Sequence, residues 1–357
     1  MKKLLLITLF TAFALTLSAQ ELRYVDATSL TLINKAQTTR QPYQRIDSLV
    51  YPALTSPAKR YFCHSAGIAV VFRTNSSTIA AQWSSGYHRL YNNMTGIAAT
   101  GLDLYIRRDG VWIPAGFGCQ APTKADHKTV IVAHMNNTEK ECLLYLPLMD
   151  EVVKLEIGID ADAHIEPAAT PFRHRIVVLG SSITHGTAAS RSGMTYLAQL
   201  ERNMGLEFSN LGISGNCKLE AEQARIVAET AADAFVFDCF SNPSDKMIKE
   251  RLTNFVAIIR AKHPTTPLIF LQTLVRGTGN FDLERRDFEQ RKRDAAVQGM
   301  QQLIAAGDPN LYFLQAPVAP GVDGTVDGCH PTDLGFHRIT EQLEPQLRAI
   351  FDRYNLR

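Results

Sequence analysis

Three features of the 357-residue sequence point to an α/β protein in two parts, a β-sandwich of jelly-roll type followed by a three-layer αβα domain with five parallel strands. Before residue 160 the apolar residues come in short runs, and Gly, Asn, Ser or Asp separates most of them. After residue 172 strand-like and helix-like patterns alternate. Between the two, residues 161–171 are rich in Ala, Asp and Pro without any period and read as a linker.

The chain opens with Lys2-Lys3, a mostly apolar run from Leu4 to Leu17, and a cleavage region at Ser18-Ala19-Gln20. That pattern is a secretory signal over 1–20, which places the mature protein in the periplasm or outside the cell. The run is short for a membrane span, and no later run is long enough to cross a bilayer. No cysteine lies near the cleavage region to carry a lipid. Once Lys2 and Lys3 are removed, 35 basic residues face 35 acidic ones. A neutral chain lacks the basic footprint of a nucleic-acid-binding protein. Cys63, Cys119, Cys142, Cys217, Cys239 and Cys329 are even in number, and an oxidising compartment allows disulfides. Their wide spacing fits neither a dense disulfide framework nor a zinc site, so free buried cysteine is the plainer reading. Neither a metal nor a cofactor is called for.

In the stretch 21–160 the strand candidates are Ile68–Arg73, Thr78–Trp83, Leu102–Arg107, Val130–Ala133 and Val152–Ile157. Leu102, Leu104 and Ile106 alternate with Asp103, Tyr105 and Arg107, the pattern of a strand with one face in a core and one in water. Trp83, Tyr87, Tyr91, Tyr105 and Trp112 would either form an aromatic platform for a sugar or serve as sandwich core and edge.

In the stretch 172–357, Arg175–Leu179, Glu207–Gly212, Ala234–Phe240, Pro267–Thr273 and Leu311–Ala316 read as strands. Helical patterns follow over Gly193–Met204, Leu219–Thr230, Lys246–Lys262, Phe288–Ala306 and about Thr332–Arg353. Strands that alternate with helices give a parallel sheet of flavodoxin-like type, whose ligands bind beyond the carboxyl ends of the strands. Each of those ends carries something polar. Strand one delivers Ser182. Strand two runs into Asn210-Leu-Gly-Ile-Ser-Gly-Asn216, where Gly212 and Gly215 let the backbone approach a ligand. Strand three ends near Asn242, and the loop after strand five holds Asp327-Gly-Cys-His330. A serine hydroxyl needs an imidazole as base, the imidazole needs an acceptor to orient it, and a developing oxyanion needs fixed donors. His330, Asp327, Gly215 and Asn242 can fill those roles in turn. Singly, each has a bland explanation as a loop, turn or helix-start residue; a shared sheet edge is what distinguishes them. Asp323 and Asp333 are the other carboxylates near His330 in sequence.

These blocks resemble those of the SGNH, or GDSL, hydrolase superfamily over residues 172–357. Gly180-Ser-Ser-Ile-Thr184 is similar to the Gly-Asp-Ser block, with Ser182 as nucleophile. Asn210-Leu-Gly-Ile-Ser-Gly215 is similar to the second block, and Asp327-Gly-Cys-His330 to the last. The resemblance implies a serine esterase with a Ser182–His330–Asp327 triad. It also implies an oxyanion hole made by the Ser182 and Gly215 amides and the Asn242 side chain. Gly101-Leu-Asp-Leu-Tyr105 resembles the signature of a bacterial subgroup that fuses a β-rich domain to such a hydrolase, a layout shared with two-domain carbohydrate esterases. The substrate so implied is a small acyl ester on carbohydrate, O-acetyl foremost. Two positions depart from the pattern. Ser181 replaces the usual Asp, and Phe240-Ser-Asn-Pro243 replaces Gly-x-Asn-Asp. They motivate a second reading, a glycan-binding protein with an inactive hydrolase domain. A third, a lipid or thioester hydrolase, is disfavoured by the absence of a long apolar lid segment. Cys217 and Cys239 flank these blocks, and a bridge between them requires the two loops to adjoin.

Overall fold

The computed structural model describes residues 21–87, 91–121, 123–316 and 318–357. The leader expected over 1–20 lies outside the described residues. The N-terminal half folds as two facing antiparallel sheets. One runs in the order β1 (Leu22–Asp26), β9 (Val152–Asp160), β4 (Ile79–Ser85) and β7 (Asp126–Val132). The other runs β10 (Ile165–Pro167), β3 (Ala69–Thr74), β8 (Lys140–Tyr145), β5 (Leu102–Arg108) and β6 (Val111–Gly118), with β2 (Thr31–Ile33) also on β3. Val70, Phe72, Trp83, Leu104, Leu144 and Ile157 fill the space between them. β10 lies inside the stretch read as a linker and pairs with β3, so the sheet ties that stretch down. β6 gives a poor strand signal because Pro114, Gly116 and Gly118 interrupt it.

The alternation along β5 does not have the meaning it suggests. Asp103 and Tyr105 are as buried as Leu102 and Leu104, each only 2% exposed. The reason is that the C-terminal half covers the face expected to meet water. Arg191 donates from one nitrogen to both Asp103 oxygens, at 3.0 and 2.8 Å, and to the Tyr105 hydroxyl at 2.6 Å. The Gly193 amide donates to Asp103 at 2.8 Å, and the Arg202 guanidinium lies 4.3 Å from the Tyr105 ring centre.

The C-terminal half holds the expected five-stranded parallel sheet. Its order is β12 (Leu206–Gly212), β11 (Arg173–Gly180), β13 (Ala234–Asp238), β14 (Leu268–Leu271) and β15 (Leu311–Leu314). By strand sequence that is 2-1-3-4-5, the flavodoxin-like order, with its switch point between β11 and β13. The helices are α3 (Ser182–His185), α4 (Tyr196–Met204), α5 (Ala221–Ala228), α6 (Asp245–Arg260), α7 (Leu283–Ala305) and α8 (Asp333–Phe351). α7 starts at Leu283, before the Phe288 expected, because Asp282 caps it at 2.9 Å and its first turns carry polar residues that show no apolar period.

Alternate residues of the buried strands feed two cores. Val177, Leu179, Phe235 and Phe237 face one, and Ile176, Val178, Ala234 and Val236 face the other. The N-terminal half enters both. The loop before α1 (Ser56–Cys63) and α1 itself add Ile46, Tyr51, Leu54 and Phe62 to the first. Ala98 and Ala99 of α2 (Gly96–Thr100), with Leu148 and Met149, join the second. Truncating Phe62, which is fully buried, would cost about 3–5 kcal/mol. Among the described residues no helix is long and apolar enough to cross a membrane.

Two carboxyls near this junction hold their protons to higher pH than usual. Burial, only partly offset by the hydrogen bond from Tyr145, pushes Glu201 up to about 8. Burial likewise pushes Asp150 up to about 7 against the hydrogen bond from Ser85. Unfolded carboxyls titrate near ~4. Between those limits the folded chain keeps protons that the unfolded chain has released, so stability falls as pH rises. Urea-unfolding free energy is therefore expected to decline from about pH 5 to about pH 8. Asp150→Asn with Glu201→Gln should flatten the decline, and a wild-type profile that rises over this range contradicts the assignment.

Candidate active site

β11 leads directly into Ser182, the serine expected from the sequence to be the nucleophile. Ser181 caps α3, accepting from the Ile183 amide at 3.2 Å, so Ser182 is the first residue of that helix. The Ser181 hydroxyl donates to Asp238, at the end of β13, at 2.7 Å, and Thr184 donates to the same carboxylate oxygen at 2.9 Å. Asp238 is buried, and burial raises its pKa against these hydrogen bonds. The Ser-for-Asp departure at 181 thus has a local reason. An Asp there would place a second carboxylate against Asp238, and like charges in a buried site repel.

Asp327 and His330 sit on a tight loop closed by a bridge between Thr325 and Pro331. Asp327 Oδ1 accepts from the amides of Cys329 and His330 at 3.1 and 2.8 Å, which builds the turn. Its Oδ2 lies 2.7 Å from His330 Nδ1, and His330 Nε2 lies 2.9 Å from Ser182 Oγ. Partial burial raises the Asp327 pKa, but donation from the His330 amide and ring outweighs it and brings the carboxyl down to about 2. An ionised carboxylate only accepts, so Nδ1 carries the proton and Nε2 presents its lone pair to Ser182. Asn93, from the N-terminal half, donates to Asp327 Oδ2 at 3.2 Å. Of the other carboxylates near His330 in sequence, Asp333 is engaged elsewhere, taking the Ser190 amide at 2.9 Å, and His330 Nδ1 lies against Asp327.

Gly215 and Asn242 reach the same cleft from the ends of β12 and β13. Gly215 has φ +71°, a left-handed conformation that explains the glycine. Asn242 Oδ1 accepts from the Cys217 amide at 3.2 Å, which leaves its NH2 end for the cleft. The cleft measures about 610 Å³ and is lined by Ser182, Gly215, Asn242 and His330 together with Tyr61, Tyr91, Asn93, Arg276, Arg285, Phe288 and Lys292. Asn93, Arg276, Lys292 and Asp238 carry no assignment from sequence. An Asp ending an apolar strand is a usable signal for Asp238; Asn93 gives none.

The proposed aromatic platform is not one surface. Trp83 is sandwich core stacked on His127 at 4.7 Å, and Tyr105 is buried against Arg191. Only Tyr91 of that group lines the cleft.

The GDSL-like Lipase/Acylhydrolase family matches residues 173–348, and the family described as the N-terminus of Esterase_SGNH_hydro-type, GxDLY, matches residues 22–165. A protein of Bacteroides ovatus ATCC 8483, whose crystal structure is described as that of a candidate GDSL-like lipase, is 44% identical. That match covers 93% of this chain and 98% of the other, with a TM-score of 0.90. The chain belongs to the GDSL-like lipase/acylhydrolase family. It is a serine ester hydrolase of SGNH type, with the family's β-rich N-terminal domain.

The salicylyl-acyltransferase SsfX3 from a tetracycline biosynthetic pathway is 20% identical, over 92% of this chain and 97% of that one, with a TM-score of 0.75. The acetyl xylan esterase Est2A from the rumen bacterium Butyrivibrio proteoclasticus is 13% identical, over 92% and 99%, with a TM-score of 0.58. At these identities the likeness is one of fold. No curated protein sequence matches the chain.

Cys217 and Cys239, both fully buried, have their sulfurs 2.8 Å apart. The loops that carry Gly215 and Asn242 therefore do adjoin. Burial raises both thiols, so neither is a ready nucleophile once folded. Refolding in oxidised glutathione is expected to join this pair, as read by peptide mapping under non-reducing conditions. Recovery of both as free thiols, or of either in another pairing, contradicts that expectation.

Proposed function

We propose that this protein is an exported esterase that removes small acyl groups, acetyl foremost, from carbohydrate through a Ser182–His330–Asp327 triad. The observation that carries the reading is the hydrogen-bonded chain from Asp327 through His330 to Ser182, at 2.7 and 2.9 Å, opening on a cleft. Ser182 Oγ attacks the ester carbonyl while His330 Nε2 takes its proton. The carbonyl oxygen becomes an oxyanion facing the Ser182 and Gly215 amides and the Asn242 NH2 group. His330 then protonates the departing sugar oxygen, and the acyl group stays on Ser182. Water, deprotonated by His330, attacks that acyl ester, His330 returns the proton to Ser182 Oγ as the acyl–oxygen bond breaks, and the carboxylic acid leaves. Asp327 remains ionised throughout and stabilises the imidazolium.

The lining supports a small acyl group. Among the described residues no aliphatic side chain lines the cleft, whereas a long acyl chain needs apolar walls. Tyr61 and Tyr91 offer faces of the kind that pack on sugar rings. Export rests on the leader pattern. The likeness to an acetyl xylan esterase is of fold and supports the carbohydrate assignment by analogy.

Hydrolysis of p-nitrophenyl acetate tests the chemistry. Ser182→Ala should fall to the background rate, and equal rates for variant and wild type would refute the nucleophile. Asp327→Asn should lose roughly 10²–10⁴-fold in kcat while remaining folded. A folded Asp327→Asn protein of near wild-type rate removes Asp327 from the triad. Acetyl esters should be cleaved faster than octanoyl esters, and acetylated oligosaccharides should lose acetyl mass on incubation. The reverse chain-length order favours a lipid hydrolase.

A further inference from the structure

One wall of the cleft is charged and carries a single sign. α7 presents Arg285, Phe288, Glu289 and Lys292 at i, i+3, i+4 and i+7, which is one helical face. Arg285, Phe288 and Lys292 line the cleft, Arg276 joins them from the preceding loop, and among the described residues no Asp or Glu lines it. Behind the wall a single carboxylate serves three cations. Glu289 meets Arg276 at 2.5 Å, Lys292 at 2.8 Å and Arg285 at 3.0 Å. The side chains of Arg276 and Lys292 are 6% and 1% exposed, and Glu289 is 3% exposed. Both cations also donate to the Ser241 carbonyl, at 3.1 and 2.8 Å, and among the described residues Arg276 Nε has no hydrogen-bond partner. Burial, then repulsion from Arg276, pushes the Lys292 ammonium down to about 8, so it stays largely charged at neutral pH. The cluster therefore holds more positive charge than Glu289 balances, in a place where water screens little.

We infer that the acylated substrate carries a carboxylate, as an acylated uronic acid does, and that this wall receives it through Arg285. This rests on the esterase reading above. Arg285 is the reachable member, 42% exposed. The buried pair behind it adds a field that water does not cancel, and a cleft concentrates such a field. A neutral sugar would gain nothing from it. A carboxylate would supply the missing counter-charge and accept a forked pair of hydrogen bonds from the guanidinium.

The test measures acetate release by the full-length protein from an acetylated uronic acid, beside the same compound with its carboxylate converted to the primary amide. The carboxylate form is expected to show roughly 5- to 20-fold higher kcat/KM at low ionic strength, mostly through KM. High salt should shrink the ratio. Arg285→Gln should bring the ratio towards one, and Arg285→Lys should restore part of it, since Lys keeps the charge without the fork. Equal values for acid and amide, or a ratio untouched by Arg285→Gln, would overturn the inference. Faster turnover of the matching sulfated sugar would overturn the carboxylate assignment. The two readings fail separately. Ser182-dependent cleavage of p-nitrophenyl acetate with no preference for the acid refutes only the substrate class. No Ser182-dependent cleavage at all refutes the esterase reading and this inference with it.

Discussion

Arg45 is wholly buried, and among the described residues no carboxylate pairs with it. Its guanidinium donates instead to four carbonyls: His64 at 2.9 Å, Asn210 at 3.0 Å, Gly212 at 2.8 Å, and Tyr61. Burial lowers its proton affinity, and a buried cation is tolerable only where fixed dipoles replace its lost hydration. Two of those dipoles lie at the end of α1 and two at the end of β12. One side chain thus joins the N-terminal half to the loop that leads to Gly215. The geometry there has little slack. A Cβ on Gly212 would stand 2.2 Å from the His185 amide nitrogen, so α3 and the end of β12 can pack only with glycine at that position. Losing Arg45 would remove a donor from buried carbonyls at a position that sets α3 and the Gly215 loop together.

The same dependence on the N-terminal half recurs on the other side of the cleft. Asp103 and Tyr105 hold Arg191, and the residue before it, Ser190, donates its amide to Asp333 at the start of α8. Thr95 donates to the Ser190 carbonyl at 2.5 Å, and Asn93 reaches Asp327 itself. The signature Gly101-Leu-Asp-Leu-Tyr105 therefore marks a contact surface between the halves, and the β-rich domain is a wall of the cleft. Asp103 shows what that contact costs. Burial raises its carboxyl, and the Arg191 charge and the Gly193 amide offset the effect.

What sequence made legible follows from this arrangement. Strands of a parallel sheet are buried on both faces, so Ile176–Leu179 and Ala234–Phe237 read as plain apolar runs, and their positions were clear. The loops at their carboxyl ends were then bound to share an edge, which is why Ser182, Gly215, Asn242 and His330 could be named together. The contacts between the halves were not legible. Period-two alternation on β5 reports only that its two faces differ in chemistry, and it cannot tell water from a second domain that brings its own Arg191. Asn93 lies far from Asp327 in sequence, and only the tertiary fold brings them together. α7 hid its first turns because their polar residues face a charged cluster and not a core.

The two departures from the family pattern bear on whether this could be an inactive relative. At position 181 the loss of a carboxylate is matched by Asp238, which takes the Ser181 and Thr184 hydroxyls and so still pins the start of α3. In the third block the missing glycine removes backbone freedom just before Asn242. The chain there is fixed by other means. Lys292 and Arg276 both hold the Ser241 carbonyl, and the Ser241 hydroxyl pairs with Thr273 at 2.9 Å. The Cys217 amide orients the Asn242 side chain from the neighbouring loop. Here Ser181 and the backbone and side chain around Asn242 are each held by hydrogen bonds. That favours an active esterase over a binding protein built on a disused hydrolase fold.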